Sequence, residues 1–154
     1  MQYKYDCERK RRSSCQTLAG VRNLFKENYM STILIVEDHK DFRQAVRHFL
    51  EVSNVKADLF EASSGEEGVA LAKEHKPDII LMDFWLRGIN GVEAATQIKA
   101  SLPECSIILL TMFDLKDVQP LVHREIIKEF ISKSDLFEKL VPSVNKILNA
   151  VVKA

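Results

Sequence analysis

Glu37 and Asp38, Asp83, Thr111 and Lys133 are the residues whose types could act together, because each closes a short apolar run. The runs are Ile33-Leu34-Ile35-Val36, Ile79-Ile80-Leu81-Met82, Ser106 to Leu110, and Phe130-Ile131. Alone, each polar residue has an ordinary reading: a turn pair, a turn aspartate, a strand-end hydroxyl, a snorkelling lysine. At the ends of strands in one sheet they would line a single rim. Crowded carboxylates repel and raise one another's pKa values, and a divalent cation removes that cost. All-oxygen ligands select Mg²⁺, or Mn²⁺, over zinc. With a hydroxyl and an ammonium added, the set describes a site for a phosphoryl group. An aspartate can itself be the nucleophile there, forming an acyl phosphate.

Such a rim needs buried strands. Apolar runs this short cannot span a membrane and read as strands covered on both faces. Between them lie helical patterns. Phe42, Ala45, Val46, Phe49 and Leu50 share a face, which predicts a helix over 41–52 opened by a capping box of Asp41 and Gln44. Val55 to Ala62 is a weaker strand suited to a sheet edge. Ser64 with Glu67, and Asn90 with Glu93, are two more capping boxes, opening helices to about Lys76 and Ser101. Pro120 makes 114–124 a poor helix. Asp135 is the expected cap of a last helix with Leu136, Leu140, Val144, Ile147, Leu148 and Val151 inward. Pro142 lies inside it and is expected to kink it or delay its regular part. Five βα units imply a parallel sheet with helices on both faces, which takes ligands at the carboxyl ends of its strands.

Length and composition set bounds. A chain of 154 residues is expected to form one domain with a core of its own. Lys+Arg and Asp+Glu are both 22, so overall charge makes no case for nucleic acid or membrane. No apolar run approaches a membrane span, and the N-terminus lacks the apolar core of a signal peptide. Cys7, Cys15 and Cys105 form no CxxC pair, which fits a reducing cytoplasm rather than a disulfide or zinc framework. The charge is unevenly placed. Residues 1–31 hold seven basic and three acidic residues, including Arg9-Lys10-Arg11-Arg12; the remainder holds 15 basic and 19 acidic. Residues 1–31 therefore read as a basic extension, with helical spacing around 17–28, and 32–154 as the folded domain. Met30 is a plausible independent start. The basic run reads as a solvated tail, and His39, beside the acidic pair, as a loop residue. His48, His75 and His123 have no ligand spacing.

From about Thr32 to Ala150 the chain resembles the response-regulator receiver domains of two-component signalling. The resemblance is carried by Ile33-Leu34-Ile35-Val36-Glu37-Asp38, by Asp83 with Gly91 eight residues on, by Leu110-Thr111, and by Phe130-Ile131-Ser132-Lys133. It implies a flavodoxin-like (βα)5 fold, a doubly wound parallel sheet with strand order 2-1-3-4-5. It implies a phosphorylation-controlled switch rather than a turnover enzyme. Asp83 would receive a phosphoryl group from a histidine kinase or phosphotransfer protein. Asp38, Asp83 and the Trp85 backbone carbonyl would bind Mg²⁺ directly, and Glu37 through water. Thr111 and Lys133 would hold phosphoryl oxygens, and Thr111 and Phe130 would move as a switch. That change would remodel the face made by the fourth helix, fifth strand and fifth helix, where a downstream protein or a second copy of the chain could dock. With nothing expected after the fifth helix, output is expected through a partner, a dimer or the N-terminal extension.

Four positions depart from the family pattern. Arg87 replaces a common proline, a change expected mainly to alter loop stiffness. Met112 replaces a small residue and is expected to project over Asp83. Ser134 replaces a common proline after Lys133. Trp85 is bulky where small or polar side chains are usual, and reads as either a lid or a surface aromatic. A phosphatase of the haloacid-dehalogenase type would need an aspartate at Trp85. The remaining alternative is a degenerate receiver that acts as an interaction module without phosphorylation.

Overall fold

The structure is a computed structural model that describes residues 30–153. The basic extension, with its expected helix over 17–28, lies outside the described residues. Five parallel strands form one sheet: β1 (Ser31–Val36), β2 (Ala57–Ala62), β3 (Ile79–Asp83), β4 (Ser106–Thr111) and β5 (Glu129–Ser132). Their order is β2-β1-β3-β4-β5. The connecting helices are α1 (Lys40–Val52), α2 (Gly65–His75), α3 (Gly91–Ser101), the single turn α4 (Leu115–Val118) and α5 (Leu136–Lys153). This is the flavodoxin-like arrangement expected from the resemblance.

Side chains alternate across a strand, so each strand feeds two cores. Ile33 and Ile35, Ile79 and Leu81, Ile108 and Leu110, and Ile131 pack against Val46 and Leu50 of α1 and the inner face of α5. Leu34 and Val36, Ile80 and Met82, and Ile107 and Leu109 pack against α2, α3 and the α4 region. Each such large side chain contributes on the order of 1.5–3 kcal/mol when fully buried. Covering both faces explains why the central strands read as unbroken apolar runs.

Asp78 fixes the start of β3. Its carboxylate accepts the Thr32 N–H at 2.9 Å, its own N–H donates to Thr32 O, and its carbonyl accepts from Ser106 N–H. Strands 1, 3 and 4 thus start in register and end on the same rim.

Several helix ends differ from expectation. His39, not Asp41, caps α1: its Nδ1 accepts the Phe42 N–H at 3.3 Å. His39 is held there because its own N–H donates to Glu37 Oε1 at 3.1 Å. Ala45 is exposed rather than part of the inner face. At α2, Ser64 accepts the Glu67 N–H, but the Glu67 carboxylate binds Ser63 instead of closing the box. Asn90 and Glu93 make the full reciprocal box.

Pro120 does break the fourth helix, which passes after one turn into a 3-10 segment over Gln119–Leu121. Ahead of α5 a 3-10 turn over Lys133–Asp135 is capped by the Ser132 hydroxyl, while Asp135 pairs with Lys139. Pro142 neither delays nor splits α5, which runs as one helix from Leu136 to Lys153; the proline sits on its exposed side. No cis peptide occurs among the described residues, so Lys133–Ser134 is trans.

Candidate functional site

The pairing register brings the polar strand ends together. Val36 pairs with Met82, so Glu37 and Asp83 stand level one residue on. Asp83 pairs with Leu110, and Thr111 with Ser132, the residue before Lys133. Alternation does the rest. Glu37, Asp83 and Lys133 continue the series whose inner members are Ile35, Leu81 and Ile131, and all three lean toward α1.

Glu37 (2% exposed) and Asp83 (5% exposed) are buried, and Asp38 is partly open. One ligand oxygen from each of Glu37, Asp38 and Asp83 falls within 4.8 Å of the others, a spacing that suits one small cation. Lys133 Nζ lies 2.7 Å from Glu37 Oε2 and 3.1 Å from Asp83 Oδ1. The same ammonium sits 4.3 Å from the Phe42 ring centroid, a cation–π contact that seats it under α1. Arg43 Nη1 donates to the Glu37 carbonyl at 2.6 Å and its Nε reaches Glu61 at 3.4 Å, which ties the end of β1 to α1 and β2.

Burial pushes the Asp83 carboxyl up to about 6, and the neighbouring Glu37 charge adds to the effect. The Lys133 cation and the Trp85 N–H oppose it only in part. The group is therefore mostly ionised at neutral pH but poorly solvated.

Thr111 is buried at the tip of β4, its hydroxyl accepting the Phe113 N–H at 3.0 Å. Phe130 is half-buried on the same sheet face as Thr111, paired with Leu109. A cavity of about 520 Å³ opens over the carboxylates, lined by Asp38, Asp83, Thr111 and Lys133 below and by Trp85, Met112 and Phe113 at its mouth.

Trp85 is 70% exposed and packs near Phe113 (6.1 Å between ring centroids), so it is a surface aromatic at the rim. Met112, 77% exposed, also stands at the mouth of the cavity that Asp83 lines. Gly91 opens α3 against β3. A Cβ there would overlap the Asp83 carbonyl oxygen, and its N–H donates to Phe84 O. This is why a residue without a side chain stands eight positions after Asp83.

Arg87 does more than its expected effect on stiffness. Its Nε lies 3.3 Å from Asp38 Oδ2. Phe42, Arg43 and Arg87 escape sequence reasoning as site residues. The first two appear only as parts of a helix, and the third sits in a loop without periodicity.

A family model for the response regulator receiver domain matches residues 33–145. The chain belongs to that family.

Among relatives, the response regulator protein VraR of Staphylococcus aureus is 41% identical over 81 residues, which is 53% of this chain and 39% of that one. The receiver chain thus spans well under two thirds of the curated relatives it matches. Among solved structures, a LuxR-family two-component response regulator from Aurantimonas is 27% identical, with a TM-score of 0.72 over 79% of this chain and 87% of that one. The receiver domain of AraT from Geobacillus stearothermophilus shares the fold at 21% identity, with a TM-score of 0.73 over 81% of this chain and 98% of that one. Receiver domains are regulatory switches. Among the described residues, no helix is long and apolar enough to cross a membrane.

Proposed function

We propose that this receiver is phosphorylated on Asp83 by a histidine kinase or phosphotransfer protein in the cytoplasm, and that the modification switches a protein-binding surface. The observation that carries the reading is the convergence of Asp83, Asp38, Glu37 and Lys133 at one strand rim beneath an open cavity.

An Asp83 carboxylate oxygen attacks phosphorus, forming a P–O bond as the donor's bond to phosphorus breaks and its electron pair leaves with the donor. At neutral pH Asp83 is ionised in most molecules, and its incomplete solvation leaves it ready to react. Lys133 is placed to follow the developing negative charge, since its ammonium already bonds the attacking carboxylate. The Thr111 hydroxyl, at the next strand end, serves the phosphoryl oxygens.

The donor set fits Mg²⁺ or Mn²⁺. Asp38 and Asp83 would hold the ion with the Trp85 carbonyl, and Glu37 would act through water. The bound ion would supply charge neutralisation for the transferred group.

Readout would pass through Thr111 and Phe130, which share a sheet face, to the surface made by α4, β5 and α5. A downstream protein, or a second copy in a homodimer, would bind there. The basic extension proposed for residues 1–31 ends before Ser31, which already opens β1.

Intact-mass spectrometry after incubation with Mg²⁺ and acetyl phosphate tests the proposal. One added phosphoryl group is expected, lost with hydroxylamine and absent in Asp83→Asn. A phosphoryl group that persists in Asp83→Asn, or none in the wild type, overturns it; the latter result would instead mark an interaction module that needs no phosphorylation.

A further inference from the structure

The loop between β3 and α3 carries Arg87 to within 3.3 Å of Asp38. We propose that the Arg87 guanidinium is a tethered competitor for Asp38, and so sets the divalent-cation concentration at which the site fills. The inference rests on the metal role proposed above for Asp38.

The charges around the site are divided unequally. Lys133 serves Glu37 and Asp83, is only 11% exposed along its side chain, and is seated on the Phe42 ring. It cannot leave without stranding two buried carboxylates. Among the described residues Arg87 pairs with Asp38 alone, from a side chain that is 91% exposed. It can swing into solvent and lose one contact. Of the two cations, Arg87 is therefore the one an incoming metal displaces.

The backbone beneath Arg87 is fixed although its side chain is exposed. Gly88 makes a left-handed turn (φ 79°), the Ile89 N–H donates to Glu66 at 3.1 Å, and the Gly91 N–H donates to Phe84 O at 3.1 Å. Glu66 is kept a ready acceptor, because its own N–H and that of Ile89 lower its pKa. A group held on a short tether competes at an effective concentration of roughly millimolar. That is the range in which a few carboxylates bind a hydrated divalent cation weakly. Exposed ion pairs are individually weak and are screened by salt, so the displacement amounts to a few-fold change in apparent affinity.

The test titrates the full chain with Mg²⁺ alone at low ionic strength, following Trp85 fluorescence and heat by calorimetry. Arg87→Gln is expected to bind Mg²⁺ about threefold more tightly than the wild type, with the difference closing in about 0.5 M KCl, where such pairs are screened. Lys116→Gln removes another exposed cation, one paired with Asp114, and is expected to leave the affinity unchanged. In the wild type the Arg87 Nε–H resonance is expected to shift as Mg²⁺ saturates. A gain below twofold in Arg87→Gln, or an equal gain in Lys116→Gln, overturns the proposal. If the wild type and Asp38→Ala respond to Mg²⁺ alike, the metal site itself is wrong and the proposal falls with it.

Discussion

Asp83 lies 3.1 Å from the Lys133 ammonium, yet its carboxyl is pushed up to about 6. Burial outweighs the lysine, and the Glu37 charge adds to the burial. The ordinary value is 3.8, so between about pH 4 and pH 6 the native chain binds more protons than the unfolded one. Stability from this group is then lost as pH rises through that window, and above it the penalty is about 3 kcal/mol. Without Mg²⁺, Asp83→Asn is expected to be more stable than the wild type at pH 7.5 by up to that amount, and to converge with it near pH 4. Urea unfolding at the two pH values reads this directly. Equal stabilities at pH 7.5 would contradict it.

Removing the lysine has the opposite sign. Lys133→Met leaves Glu37 and Asp83 buried without their shared cation. Breaking a buried pair from one side costs roughly 3–5 kcal/mol. The variant is expected to unfold at lower urea than the wild type, and millimolar Mg²⁺ should restore part of the loss by binding the native state. A variant as stable as the wild type in EDTA would show that the ammonium is not needed to balance the carboxylates.

Met112 stands at the cavity mouth, 77% exposed, so truncation removes little buried surface. Met112→Ala is expected to change stability by less than about 0.5 kcal/mol. It should speed phosphorylation by acetyl phosphate and shorten the lifetime of the modified state, because the same side chain obstructs donor and water. A tenfold rate change corresponds to about 1.4 kcal/mol of gating. Both rates within twofold of the wild type would mean that this side chain lies outside the approach path.

Residues 114–128 hold one helical turn, a 3-10 turn and long irregular stretches, with Leu121 69% exposed. Few of their backbone N–H groups sit in regular ladders. Amide exchange is expected to be faster here than in any other stretch of this length between residues 32 and 150, and to change on phosphorylation. Slow exchange across the segment, matching the central strands, would count against a mobile fourth helix.

The strand ends were legible in the sequence because burial on both faces leaves an unbroken apolar run, and the first polar residue after it must surface at the rim. The order of strands was not legible that way; it came with the family resemblance and agrees with the pairing. Caps were read less well, because several competent residues sit side by side and tertiary contacts choose among them. Glu37 holds the His39 N–H and so makes His39 the cap ahead of Asp41. Ser132 takes the role expected of Asp135, whose carboxylate is drawn to Lys139. Pro142 was expected to kink the last helix or delay its regular part, yet it faces solvent on a helix whose opposite side is well packed. Arg87 and Phe42 were invisible as site residues because their partners lie far along the chain, at Asp38 and Lys133.

The bond between Lys133 and Glu37 joins positions 96 residues apart. Its consequence concerns the order in which the molecule is made. A growing chain presents Glu37 and Asp38 early and Asp83 midway, but the ammonium that balances them arrives only with the last strand. Contacts of such long separation form late, after the loops between them have closed. A nascent or truncated chain lacking β5 therefore carries the acidic cluster without its buried counter-ion and without the far wall of the cavity. On the function proposed above, competence to accept a phosphoryl group waits until β5 and Lys133 have been made.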